Sequence, residues 1–298
     1  MKKPLLLNGK KIRISDFRDV VFFNRKIQID KKLYSRIGKN AEYLNKIKDS
    51  SVIYGVNTGF GPMAHTYISK DKQKELQYNL IRSHAMGQGA CIDEHHIKAI
   101  LLVRLQTLLQ AHSAVSKEVC VLLEYFINNS ILPVVHEHGS VGASGDLVQL
   151  AHIAEALIGE GYVLHGGKKI PSKRVFEMYK KDITPLSITG REALALINGT
   201  SAMTGIAGVH ITIAQKIMKA SIYACAILLE LVEAPEDYFS ENISSVRPHT
   251  GQVEVGRIIS EILKTSKLIS RISLKHRVNI STNMSKSLDT DTSLETGT

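Results

Sequence analysis

Residues 136–161 read HEHGSVGASGDLVQLAHIAEALIGEG. Gly139, Gly142, Ala143, Ser144 and Gly145 carry almost no side chain, and they stand directly ahead of a long apolar run. Such backbone folds tightly, because glycine reaches φ/ψ regions that other residues avoid. In Ala143-Ser144-Gly145, tight folding brings the Gly145 amide nitrogen towards the Ala143 carbonyl carbon. Ring closure with loss of water gives a five-membered imidazolone. Loss of a second water from Ser144 leaves an exocyclic methylidene, an electrophile made from the chain itself. The chemistry requires a central serine, small neighbours and a frame that holds a strained turn. Asp146 and Gln149 have the D-x-x-Q form of a capping box, so a helix is expected to begin just after the triad. Its free N–H groups would stabilise negative charge developing on the ring. On the tripeptide alone, an ordinary loop and helix cap is the simpler explanation. The rest of the chain decides between the two.

The chain has 298 residues, 44% of them hydrophobic, which is a globular composition. Tryptophan is absent and aromatics are 6%, so the core is expected to be aliphatic. The net charge is +10, but Lys and Arg are spread along the chain rather than gathered into a block. That distribution argues against nucleic acid as a partner and suits a small anionic molecule. Cys91, Cys120 and Cys225 are far apart and form no C-x-x-C pair, which predicts buried free thiols in a reducing cytoplasm. The basic start, MKKPLLLNGKK, is too briefly apolar for a signal segment. The longest apolar runs, such as ASIYACAILLELVEA (220–234), fall short of a membrane span, so no membrane is expected.

Short β-like pieces are expected in KIRISDF, DVVFF and KIQID, followed by a charged amphipathic helix near residues 31–49. SVIYGVNTGFGP (51–62) reads as a short strand entering a glycine-rich loop. From Lys70 the pattern turns helical. Leu76, Leu80 and Ile81 share one helix face, and Ile97, Ile100, Leu101, Leu105 and Leu108 share another. A further helix is expected over 116–131, and one from Asp146 to about Gly159. YVLHGGKKIPS predicts a hairpin turned at Gly166-Gly167. Residues 191–234 read as long buried helix interrupted near Asn198-Gly199. The fold class is therefore mainly α, a long-helix bundle with a small mixed α/β N-terminal region. Residues 281–298 take nine of their eighteen positions from Ser and Thr, and a disordered tail is expected over 271–298.

With these pieces in place, the sequence resembles the aromatic amino acid ammonia-lyase family (histidine, tyrosine and phenylalanine ammonia-lyases and related aminomutases). The resemblance rests on YGVNTGFGP (54–62), LQYNLIRSHAMGQG (76–89), GSVGASGDLVQLAH (139–152), ALINGTSAMTG (195–205) and RPHTGQ (247–252), in the family's order. It runs from about residue 10 to about 270 and implies the ammonia-lyase/fumarase-like helical bundle. It also implies that Ala143, Ser144 and Gly145 cyclise to methylidene-imidazolone (MIO), with no metal or nucleotide needed. Tyr54 would be the catalytic base, taking a β-proton from the substrate. Gly61 would lie beside the amine adduct, Asn198 would contact ring and substrate, and Leu147 would line the pocket. Elimination would release ammonia and a trans-α,β-unsaturated acid.

Ser83 and His84 stand where the family recognises the substrate's side-chain ring. Ser-His looks like the histidine ammonia-lyase pattern, giving trans-urocanate in cytoplasmic histidine catabolism. Some tyrosine enzymes carry the same pair, so tyrosine ammonia-lyase or an aminomutase stays open. The family assembles as homotetramers whose subunits share active sites.

Other motifs carry less. GFGPMA (59–64) fits G-x-G-x-x-A but holds Pro62 and lacks a surrounding βαβ unit. His136 and His138 lack a third ligand at a metal-binding spacing, and His95-His96 reads as a solvated helix start. Family members continue well beyond RPHTGQ, through a QDxYSxRC-like motif whose Tyr and Arg hold substrate. This sequence departs from them near Arg271, as a truncated or frameshifted product would. The long apolar helices would then expose surface. An inactive remnant or interaction protein is the alternative from another class.

Overall fold

Residues 14–23 overturn the first local expectation. The computed structural model describes residues 2–269, so the expected tail over 271–298 lies outside the described residues. KIRISDF and DVVFF do not form strands. They supply helix α1 (Ile14–Phe23), between strands β1 (Leu5–Leu7) and β2 (Ile27–Ile29), which pair in parallel. The β-branched and aromatic residues suggest strands, but Phe17, Val20 and Val21 recur at helical spacing and are all buried. Ion pairs hold the helix's carboxylates. Asp16 accepts from Arg13 Nε at 2.8 Å and from Arg25 Nη1 at 2.7 Å, and Lys2 Nζ lies 2.7 Å from Asp19.

Helices α2 (Lys32–Ile47), α3 (Lys70–His84), α4 (Glu94–Leu108), α5 (Lys117–Asn128) and α6 (Leu147–Leu157) follow the periodicity of the sequence. Strand β3 (Gln88–Cys91) pairs antiparallel with β5 (His136–His138). Strand β4 (Leu132–Pro133) joins the hairpin of β6 (Tyr162–His165) and β7 (Lys168–Pro171). That hairpin turns at Gly166 (φ 58°) and Gly167 (φ 73°), the paired positive φ values a two-residue turn requires. Helices α7 (Ser172–Met178), α8 (Glu192–Ile197) and α9 (Ser201–Leu231) follow.

The chain divides after Thr212, within α9. In the first unit, α4 is the central rod. Its Ile97, Ile100, Leu101, Leu105 and Leu108 are wholly buried, and Leu123, Phe126, Leu150 and Leu157 join them in one aliphatic core. Helices α3, α6 and α8 pack on one another. Lys98 is buried on α4, and its ammonium donates to Asn24 Oδ1 and Ser130 Oγ, just past the C-termini of α1 and α5. Burial lowers its pKa, while the negative ends of two helices favour the cation. In the second unit, α10 (Glu241–Val246) and α11 (Thr250–Leu263) accompany the end of α9. Ile222, Ala226, Phe239, Ile259, Leu263 and Ile269 form a separate small core.

Two further expectations need correcting. Only Cys120 is buried, and burial pushes its thiol up to about 12; Cys91 and Cys225 are exposed. The apolar runs after Asn198 join into one 31-residue helix, α9, which by length and composition could cross a membrane. Only 11% of its most apolar window is buried, and it exposes Met203, Ile217, Leu228 and Leu231.

Candidate active site

The turn over 142–145 is as tight as its composition predicts. Gly142 and Gly145 pair antiparallel across Ala143 and Ser144. Ser144 has φ 63°, a left-handed conformation that costs an L residue about 1–3 kcal/mol and persists only when its surroundings enforce it. Ala143 and Ser144 are exposed. On its other side Gly145 pairs in parallel with Gly199, so close that a Cβ on Gly145 would stand 2.3 Å from the Gly199 carbonyl oxygen. The Asp146 amide donates to that same oxygen at 2.8 Å.

The expected Asp146–Gln149 capping box does not form. Ser140 Oγ accepts from the Val148 amide at 3.0 Å and caps α6, because the chain ahead of the turn folds back over the helix start. Asp146 instead serves the neighbouring helix. Its Oδ2 accepts from the Met203 amide at 2.8 Å, in the first turn of α9. Gln149 donates to the Glu137 carbonyl at 3.3 Å.

Asn198 is the residue at which α8 ends, with extended backbone (φ −89°, ψ 115°) and an exposed side chain. Beneath it lies Arg104 of α4, which is 3% exposed. Its Nη2 donates to the carbonyls of Ala195 and, at 2.9 Å, Asn198; its Nη1 reaches Ser201 Oγ at 3.4 Å. Burial lowers the guanidinium to about 10 against an opposing effect of Asp146, so it stays charged at neutral pH.

Residues 51–62 form a knotted turn rather than the expected strand. The reason is Asn57, which is 3% exposed. Its Oδ1 accepts from Ile53 N at 2.7 Å, and its Nδ2 donates to the carbonyls of Lys48 and Ser51. Thr58 Oγ1 accepts from Gly55 N at 3.1 Å. Half-exposed Tyr54 projects from this turn, and its Oη accepts from the Gly61 amide at 3.1 Å. Gly55, with φ 71°, lies directly against Leu194 of α8. Buried Gln77 of α3 donates to the Gly55 carbonyl at 2.9 Å.

Ser83 and His84 end α3, where Ser83 Oγ and His84 Nδ1 lie 3.1 Å apart and both bond the Leu80 carbonyl. Just beyond them, the Gly87 amide donates to His152 Nε2 of α6 at 3.0 Å. Leu147, half-buried, is the first residue of α6. The chain after α8 therefore meets the Ser144 turn through Gly199, and the chain after α3 reaches His152 midway along α6. Tyr54 connects to that assembly through Gly55, Leu194 and Gln77. His136 and His138 lie on β5, and His136 Nδ1 bonds the Gly89 carbonyl. His96 is not simply solvated. It is half-buried, its ring centroid 5.2 Å from that of His210. The supporting residues Asn57, Gln77, Arg104 and Ser140 carry no sequence signal of their own, because what they bond is backbone, apart from the Ser201 hydroxyl beside Arg104.

The structure thus sets a strained serine turn against a helix break at Asn198 and Gly199, with Tyr54 on a hydrogen-bonded loop tied to α3 and α8. The sequence model of the family described as aromatic amino acid lyase matches residues 12–290. A probable histidine ammonia-lyase of Thermoplasma acidophilum is 36% identical over 266 residues, covering 89% of this chain and 53% of that protein. The MIO-dependent tyrosine 2,3-aminomutase of Streptomyces globisporus is 34% identical over 267 residues, covering 89% of this chain and 49% of its own length. A crystal structure of tyrosine aminomutase from Streptomyces globisporus superposes with a TM-score of 0.87 at 30% identity, over 99% of this chain and 54% of the other. The chain belongs to the aromatic amino acid lyase family. It spans about half the length of the curated relatives it matches.

Proposed function

We propose that this chain carries the electrophile-forming part of an aromatic amino acid ammonia-lyase, acting on L-histidine to give trans-urocanate and ammonia. The observation that carries the proposal is Ser144 held left-handed between the paired Gly142 and Gly145. The residues fit an MIO group: a central serine, small neighbours, and a turn backed by Gly199 with no room for a Cβ. Ala143, Ser144 and Gly145 would become that group, which when formed supplies an electrophile for the substrate amine.

The chain's own residues have distinct tasks. Tyr54 exchanges the β-proton at its Oη. The Gly61 amide fixes that oxygen without occupying the phenolic hydrogen. Asn198 presents its exposed carboxamide beside the turn, and Leu147 forms an apolar wall. Ser83 and His84 receive the substrate ring and favour imidazole. The turn and Tyr54 are open to solvent in a single copy, which suits a homotetramer whose subunits complete each other's sites. The setting is cytoplasmic.

A second reading, a tyrosine lyase or aminomutase, is favoured by the relatives named tyrosine 2,3-aminomutase, one of them 38% identical over 217 residues. Intact mass and ultraviolet absorbance test both. Loss of two waters from 143–145 and rising urocanate absorbance with histidine are expected. Coumarate points to tyrosine lyase, and β-tyrosine points to an aminomutase. An unmodified mass, with turnover no greater than that of Ser144→Ala, overturns the proposal and leaves an inactive or interaction protein.

A further inference from the structure

We infer that Arg104 is the positioning residue on which the Ser144 turn is built. The inference rests on the function proposed above and extends it to a residue outside the motif containing the turn. Arg104 belongs to the central helix α4, and its guanidinium is buried. A buried cation needs partners with strong dipoles. Arg104 finds them at a helix break. Two acceptors are carbonyls at the C-terminal end of α8, where helical carbonyls lack internal partners, and the third is the hydroxyl of Ser201, which begins α9. One planar fork thus fixes both sides of the break that contains Asn198 and Gly199.

The consequence passes on by direct contact. Gly199 sits against the guanidinium, since a Cβ there would be 2.5 Å from Nη1. The Gly199 carbonyl accepts the Asp146 amide, and Gly199 pairs with Gly145. Asp146 closes the circuit with its carboxylate on the Met203 amide and its charge opposite Arg104. Gly145, whose nitrogen must approach the Ala143 carbonyl carbon, belongs to a strand-like pairing whose other member rests on Arg104. A lysine carries the charge but not the fork, so it would hold fewer of these acceptors.

The experiment compares wild type, Arg104→Met and Arg104→Lys for the rate of two-water mass loss in freshly folded protein. Circular dichroism and amide hydrogen exchange at Asp146 are followed in parallel. Arg104→Met is expected to keep its helix content but dehydrate roughly tenfold slower or more, because small misplacements of reacting atoms are costly. Arg104→Lys should fall between the two. Guanidinium ion at low concentration should partly restore the methionine variant. Dehydration of Arg104→Met at the wild-type rate overturns the inference. If the methionine variant does not fold, the lysine variant decides: an intermediate rate supports the assignment and a wild-type rate overturns it. If wild type itself never loses water, the proposed function fails instead. Arg104 is then judged by exchange at the Asp146 amide, where faster exchange in Arg104→Met or, if that does not fold, Arg104→Lys supports the clamp and unchanged exchange removes it.

Discussion

The side-chain amide of Gln77 donates to the carbonyl oxygen of Gly55 at 2.9 Å, in the interior of the protein. Gln77 is wholly buried on α3, and Gly55 is the residue after Tyr54. The bond therefore ties the tyrosine turn to the helix whose last residues are Ser83 and His84. The candidate base and the proposed ring-recognition pair are thus attached to one helix.

Replacing Gln77 by leucine leaves the Gly55 carbonyl buried without this partner. The expected cost is about 1–3 kcal/mol. Chemical denaturation should show a lower midpoint with unchanged slope. Equal midpoints would mean that the bond contributes nothing to the fold.

Gly199→Ala should be far worse than its size suggests. The added methyl meets Arg104 Nη1 at 2.5 Å, and the backbone at φ 149° is one that L residues rarely adopt. Soluble yield and thermal midpoint should both drop, and dehydration at 143–145 should stop. Gly251→Ala, in open space, serves as the control and should behave as wild type. A folded, fully dehydrated Gly199→Ala protein would contradict the close packing.

Tyr54→Phe separates making the electrophile from using it. Tyr54 is half-exposed and, among the described residues, its hydroxyl meets only the Gly61 amide, so stability should change by about 0.5 kcal/mol or less. Mass spectrometry should still record loss of two waters. Turnover should fall by roughly 100-fold or more, with much less change in KM. Unimpaired turnover would remove Tyr54 from the chemistry.

Acid should weaken the fold partly through His96. Burial holds its imidazole below the ordinary 6.5; Asp93 opposes this, while His210 and His95 add to it. The unfolded chain then takes up the proton before the folded one does. The contribution to stability is complete above 6.5 and declines as pH falls below it. Urea midpoints measured on either side of that value should diverge more for wild type than for His96→Phe. Parallel declines would assign the effect elsewhere.

Most of the helical frame was legible in the sequence, because α3, α4, α5 and α6 bury faces spaced at the helical period. Residues 14–23 were misread since valine and phenylalanine favour strands locally, although Phe17, Val20 and Val21 recur at helical spacing and Asp16 pairs with Arg13 three residues before it. The turn at 51–62 was misread because Asn57 gathers three backbone partners, a choice no pattern of hydrophobicity records. At the site, Ala143-Ser144-Gly145 was legible as a tight turn and Asn198-Gly199 as a break. Their meeting was not, since it depends on Arg104 across a gap of about ninety residues and on Asp146 capping a different helix from the one it precedes.

The backbone contact between Gly145 and Gly199 limits how this scaffold can be redesigned. Most tight contacts in a protein can be relieved by trimming a neighbour, so a bulky change at one position is rescued by a smaller residue at the other. Here both members are already at the minimum. Combinatorial libraries that vary the proposed pocket residues Ser83, His84 and Leu147 should keep these two codons fixed: a side chain on Gly145 meets Gly199 backbone, which no second-site change can trim, and one on Gly199 meets Arg104, whose removal would free the helix break.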